Sequence, residues 1–357
     1  MMERILCQIY GLSNESETPS MSFHRFDSLK EYAMASNSPQ RARLQGLLML
    51  CLAGTAWGGM LPVGKSLFGH LDPIVLTALR YGLAAPLFLA ALAWREGRAA
   101  LSLQGRGLRL WLLGTLGFAG FNLLGFEGLR HTQPEQASVM VALMPLMTAL
   151  VQWAWRGQRP ARATLASILL ALAGVLLVLS GGHLGQLLHG GGTQGDAMVL
   201  AGALCWVAYT LGAKSFAGWS PLRYTALSCG LGALSIAAIA LAGMAGGHLR
   251  VPDAQDLRAS AWGMAYLVLL AAFVAVLGWN AGIARIGPTA GVLFINLVPV
   301  TAFAIGALQG YHFGAAEVLG ALLVTGALVL DSSFALLAAR AARRRARGAS
   351  GAACPAV

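Results

Sequence analysis

Ten apolar stretches of bilayer length recur along this chain, and they constrain its fold more than any motif does. They lie near 45–65, 73–94, 110–129, 134–155, 163–180, 196–214, 221–245, 262–284, 288–309 and 314–338. A helix needs about 20 apolar residues to cross the hydrocarbon. The third and fourth stretches are joined by RHTQPEQ and the eighth and ninth by RIGP. Merging either pair would leave a helix too long for a bilayer, so ten spans are expected rather than eight. Lipid offers no water to exposed peptide groups, so the spans must be helices. Composition agrees: 57% of residues are hydrophobic and 11% charged, against roughly 25% charged in a soluble domain. The 45 glycines suit membrane helices, whose backbones approach closely at small residues. The expected class is an all-α membrane protein of ten transmembrane helices.

Charge supplies the orientation. If the N-terminus is inside, cytoplasmic segments carry five Lys/Arg before the first span, then Arg95, Arg98, Arg106 and Arg109, then Arg156, Arg159 and Arg162. Lys214, Arg223 and Arg285 follow, and Arg340, Arg343, Arg344, Arg345 and Arg347 close the chain, making twenty of the 25 basic residues. The opposite side keeps Lys65, Arg130, Arg250 and Arg258, and Arg80 lies within a span. The positive-inside rule then places both termini in the cytoplasm of an inner membrane. Basic residues that flank spans form no separate basic domain, so the net charge of +11 does not indicate nucleic acid. Residues 1–43 are polar and lack a signal-peptide pattern. They are expected to form a disordered cytoplasmic tail, and residues 1–33 are the stretch whose translation is in question because Met34 offers a second start. Residues 339–357 form a basic cytoplasmic tail.

Reactive-group chemistry is sparse. The five cysteines show no CxxC spacing and the seven histidines no HExxH pair, so neither a metal site nor a disulfide framework is expected. No Walker A loop appears, which argues against a nucleotide-driven pump. The spans hold hardly any titratable groups beyond Arg80 and Glu127, so no enzyme activity, catalytic residue or cofactor is expected.

The chain repeats itself. PIVLTALRYGLAA (73–85) lies over PLRYTALSCGLGA (221–233) with seven identities in thirteen positions. Trp57 and Lys65 are spaced like Trp206 and Lys214, and Gly128, Pro134 and Pro145 like Gly282, Pro288 and Pro299. Gly174 falls on Gly326. The offsets run 149, 148, 154 and 152, in chain order. Two repeats of five helices follow, 45–180 and 196–338. Five is odd, so the second repeat starts from the opposite side of the membrane, and a two-fold axis in the membrane plane relates the halves. Inverted repeats serve many secondary transporters, and they occur in channels as well.

The stretches TAWGGMLPVGK, DPIVLTALRYGLAAPLF, GLRHTQPEQASVMVALMPLMTAL and WNAGIARIGPTAGVLFINLVPVTAFAIGAL resemble the EamA domain of the drug/metabolite transporter superfamily. The resemblance covers nearly the whole membrane part. It implies a ten-helix bundle around a central cavity, and export or exchange of small organic solutes such as amino acids. Family members often carry Gly-Glu after the fourth helix of each repeat. Here those stretches read WRGQRP and LQGYHFG, so any role of that Glu is absent or replaced.

Arg80 is the first candidate for binding a solute. An arginine inside a span costs at least about 2.5 kcal/mol and so faces a cavity or a partner, and its donor fork suits a carboxylate. Glu127 is expected at similar depth, and an Arg80–Glu127 pair opened by a proton or substrate would couple transport to a gradient. A static ion pair is the plainer reading of both. Trp57 and Trp206 sit inside the first span of each repeat, where tryptophan is less common than at interfaces, and suggest cavity walls. Tyr81, Asn122, Tyr209, Asn280 and Asn296 are further polar handles, able to meet substrate or to join helices. Pro145 and Pro299 are expected mid-helix, as hinges or fixed kinks.

The reading is a secondary transporter that exports or exchanges small metabolites, with proton coupling resting on Glu127. A passive channel in the same shell is the alternative. The expected partners are a small-molecule substrate and the bilayer, with the protein acting as a monomer or homodimer.

Overall fold

The computed structural model describes residues 24–157, 159–182, 192–287 and 291–351, with side chains described over a smaller part of these. The chain divides into two compact units, Met1–Leu44 and Gln45–Val357. Within the first, the segment expected as a tail lies outside the described residues up to position 23 and is helical from His24 on. Within the second, every regular element among the described residues is helical.

The helices are α1 (Gln40–Ser66), α2 (Pro73–Glu96), α3 (Gly107–Leu129), α4 (Pro134–Ala142), α5 (Met144–Arg156), α6 (Arg162–Ser180), α7 (Gln194–Phe216), α8 (Pro221–Ala245), α9 (Ala254–Ile286), α10 (Phe294–Leu308) and α11 (Ala315–Phe334). Eight of them are long and apolar enough to cross a membrane. The pair α4–α5 passes as a ninth only if its 43° bend is counted within one span, and α10 is shorter. Large apolar side chains such as Leu169, Leu234 and Leu241 stand exposed on outer faces, where only lipid makes an acceptable solvent.

Local chemistry starts the helices where the repeat predicts. Asp72 caps α2 by accepting from the Ile74 amide at 2.9 Å, with Pro73 at the first position. Ser220 caps α8 by accepting from the Arg223 amide at 2.9 Å, with Pro221 following. A side-chain oxygen satisfies an orphan N–H, and proline loses nothing where no N–H is needed.

Packing between the halves is reciprocal. Helix α2 lies against α8, α4 against α10 and α6 against α11, so like-numbered helices of the two repeats meet. A Cβ added to Gly128 of α3 would stand 2.5 Å from the Gly195 carbonyl of α7. The matching contact joins Gly282 of α9 to Gly46 of α1, where a Cβ would meet the Gly46 carbonyl at 2.9 Å. Gly174 approaches Gly320 at 2.7 Å in the same sense, whereas its counterpart by spacing, Gly326, faces open space. These contacts are too close for any side chain, which is how membrane helices gain dispersion contact.

Two irregularities shape the interior. The third helix of each repeat contains a π turn, Thr115–Gly120 in α3 and Tyr266–Val274 in α9. Such turns are rare and cluster at functional sites. The prolines correct the expectation of mid-helix positions. Pro145 sits in the first turn of α5, just after the bend at Leu143, and Pro299 sits in the first turn of the α-helical Leu297–Leu308, after a 3₁₀ segment. Proline lacks the N–H and crowds the preceding turn, so the regular ladder begins at it rather than running through it. Pro288 lies outside the described residues.

Candidate functional site

A cavity of about 440 Å³ opens where α1, α2 and α3 face α7, α8 and α9. Seven of the eight sequence candidates for solute binding line it: Trp57, Arg80, Tyr81, Asn122, Trp206, Tyr209 and Asn280. Asn296 does not. It is buried on α10 beside two lining residues, Ile295 and Val298.

Arg80 is 2% exposed and ties three helices together. Its Nε donates to the Leu267 carbonyl of α9 at 3.2 Å, and its Nη1 donates to Asn122 Oδ1 of α3 at 3.0 Å. Asn122 in turn donates through Nδ2 to the Phe118 carbonyl at 2.9 Å. The guanidinium carbon stands 5.1 Å from the Tyr81 ring centre and 5.9 Å from that of Phe126, distances at which a ring face attracts a cation. The π turn of α9 supplies acceptors for the other half of the molecule. Leu267 lies in the α9 turn, and so does Ala271, whose carbonyl accepts from Trp57 Nε1 at 2.9 Å.

The walls are aromatic. Trp57 leans on Trp279 at 5.1 Å. On the other side Trp206, Tyr209 and Phe118 form a triangle with centroid separations of 5.1 to 6.1 Å. Tyr209 stacks on Tyr224 at 4.9 Å, and the Tyr224 hydroxyl donates to the Tyr209 carbonyl at 2.8 Å. The Trp206 indole N–H makes no hydrogen bond among the described residues, unlike that of its counterpart Trp57. Asn280 Nδ2 is buried at the cavity with no partner among the described residues. Among the lining residues Arg80 alone carries charge.

The expected Arg80–Glu127 pair is absent. Among the described residues no carboxylate lies within 4.0 Å of Arg80, and Glu127 pairs instead with Arg130 at 3.4 Å, both partly exposed. Arg130 also reaches Asp72. The two residues are one turn apart on a helix end, which gives Arg130 the shorter reach. Sequence reasoning missed another carboxylate, Glu135. It is 6% exposed, and a Cβ on Gly306 of α10 would stand 2.2 Å from its Oε1. It lines a second cavity of about 420 Å³ with Lys65, Gln133 and Tyr311. Lys65 donates from Nζ to the Thr132 carbonyl at 2.5 Å and to Gln133 Oε1 at 2.9 Å.

Phe118, Tyr224 and Trp279 were also missed. Comparing the repeats brings out residues that both halves share. Tyr224 falls on Leu76, and Trp279 on Gly125, so nothing in the spacing marks them. The available signal was the density of aromatic residues inside spans rather than at their ends.

The comparisons with known proteins agree with this architecture. The model of the EamA-like transporter family matches residues 44–180 and again 193–332. The uncharacterized transporter YrdR of Bacillus subtilis (strain 168) is 30% identical over 293 residues, covering 81% of this chain and 91% of that protein. The aromatic amino acid exporter YddG of Ancylobacter novellus is 27% identical over 157 residues, 44% of this chain and 54% of its own. A solved crystal structure shares the fold with a TM-score of 0.58 at 22% identity, over 83% of this chain and 98% of the other. Matched twice by one family model and related to proteins named as transporters, this multi-pass membrane protein belongs to the EamA-like transporter family, within the drug/metabolite transporter superfamily.

Proposed function

We propose that the protein is a secondary transporter that exports or exchanges small organic metabolites, amino acids or related solutes, by alternating access. Its unit would be ten crossings: the eight long helices, α4–α5 as one bent span, and α10. The two five-helix repeats would be inverted, with both termini cytoplasmic in the inner membrane. Reciprocal packing supports the inversion, because a two-fold axis requires each contact between the halves to occur twice or to fall on the axis. The basic excess on one side supports the orientation.

The observation that carries the reading is the cavity at the seam of the repeats, with one buried guanidinium and aromatic walls. Its volume is in the range of small-molecule pockets. Rocking one half against the other would expose it to either side. The partial match to an exporter of aromatic amino acids supports a solute with an aromatic ring, of which L-phenylalanine is a convenient probe. For proton coupling, Glu135 is the better carrier than Glu127. It is buried against the opposite half, whereas Glu127 is held by Arg130 near solvent.

Counterflow in proteoliposomes tests the proposal. Radiolabelled L-phenylalanine should accumulate transiently in vesicles preloaded with the unlabelled amino acid, and the rate should saturate. A rate that rises linearly with concentration and shows no counterflow would replace the carrier with a channel.

A further inference from the structure

The composition of the cavity narrows the class of solute, a step that rests on the transporter reading above. Arginine has five N–H donors. Protein acceptors take one from Nε and one from Nη1, and neither hydrogen of Nη2 has an acceptor among the described residues. The residue is nevertheless 2% exposed and faces the cavity. Its charge meets only neutral partners: a backbone carbonyl, an amide oxygen and two ring faces. A buried cation without an anion is costly, and an incoming carboxylate would relieve that cost with paired charge-assisted hydrogen bonds. An ammonium group would meet ring faces but no counter-charge, and it would share the cavity with the Arg80 cation. No carboxylate lines the cavity, and the remaining polar side chains are hydroxyls, indoles and amides. One of these, Asn280 Nδ2, is a further donor without a partner among the described residues. The lining is thus complementary to negative charge and to flat apolar surface, and Arg80 sets a like charge against an ammonium group. A zwitterion would gain at Arg80 and lose at its own ammonium.

We propose that the cavity selects aromatic monocarboxylates that carry no ammonium group, with Arg80 taking the carboxylate and the Trp57, Trp206 and Tyr209 walls taking the ring. Unpaired charge in a dry site is an effective means of rejecting the wrong ligand.

Three probes with one ring separate the possibilities: 3-phenylpropionate with acid only, L-phenylalanine with both groups, and 2-phenylethylamine with amine only. Each is titrated against the purified full chain in detergent, following quenching of tryptophan fluorescence. The expected order is 3-phenylpropionate at least tenfold tighter than L-phenylalanine, with 2-phenylethylamine not displacing either. Arg80→Gln should weaken 3-phenylpropionate at least tenfold and leave L-phenylalanine the less affected. Arg80→Lys should recover part of the loss. L-Phenylalanine binding as tightly as 3-phenylpropionate overturns the proposal and leaves the transporter standing, as does full 3-phenylpropionate affinity in Arg80→Gln. The comparison of probes on the unaltered protein decides the matter if the variants do not fold. Absence of binding by all three overturns the solute class, and only a further absence of counterflow would remove the transporter reading as well.

Discussion

Trp57 and Trp206 occupy equivalent positions in the two repeats, yet the structure assigns them different energetic roles. Trp57 Nε1 donates to the Ala271 carbonyl at 2.9 Å, across the seam and into a π turn. Trp206 lies among Phe118, Phe121 and Tyr209, and its indole N–H makes no hydrogen bond among the described residues. Phenylalanine keeps most of the ring area at either site and removes only the donor. Trp57→Phe should therefore lose the net value of one side-chain hydrogen bond, about 1 kcal/mol, beyond the loss of ring area common to both sites. Trp206→Phe should lose only that common part. A difference of about 1 kcal/mol changes the ratio of folded to unfolded protein about fivefold. Denaturation by SDS in mixed micelles, followed by far-UV circular dichroism, measures it against the unaltered chain. Equal losses at the two sites, or a greater loss at Trp206, would refute the claim that the seam is held asymmetrically.

Two further predictions address packing and coupling. Gly128→Ala puts a Cβ 2.5 Å from the Gly195 carbonyl, short of the 3.0 Å below which real contacts hardly occur, so α3 and α7 must part by about 0.5 Å. Overpacking of that kind costs about 1–3 kcal/mol. Gly326→Ala meets open space and should be neutral or slightly stabilising, by up to about 1 kcal/mol from helix propensity; thermal melting in detergent compares the two. Glu135→Gln removes the proposed proton site while keeping its shape. Uptake driven by an imposed pH gradient should fall to background in proteoliposomes while downhill exchange continues, and gradient-driven uptake equal to that of the unaltered protein would exclude Glu135 as the carrier.

Much of the membrane architecture was legible in the sequence because lipid imposes a simple demand, a run of apolar residues, on every span. Arg80 was legible for the same reason, since a charge in such a run needs a cavity or a partner. Trp57 and Trp206 were found by spacing alone. The partner of Arg80 was not found. Choosing Asn122 over Glu127 depends on the rotation of α3, and that rotation depends on a π turn which no hydropathy pattern reveals. Asn296 was placed on the pathway by residue type, whereas its burial beside the cavity depends on the phase of the 3₁₀ segment that it ends. Glu135 was passed over because it sits in a joint read as connecting sequence, beside a proline, and only the approach of Gly306 from the other half buries it.

The π turn in α9 also makes the length of that helix part of its recognition surface. Each residue along an α-helix turns the direction of its side chains by about 100° and advances them about 1.5 Å. A π turn accommodates one residue beyond the α register, so Trp279 and Asn280 owe their aim to a residue counted several turns earlier. Substitutions within Tyr266–Val274 leave that phase intact. Deletion of one residue there is absorbed as the turn relaxes to α, which leaves the bearing of Trp279 on Trp57 nearly unchanged, whereas one residue lost from the regular helix between the turn and Trp279 would swing that ring by about 100°. One stretch thus sets both the acceptors offered to Arg80 and Trp57 and the bearing of the cavity wall beyond them.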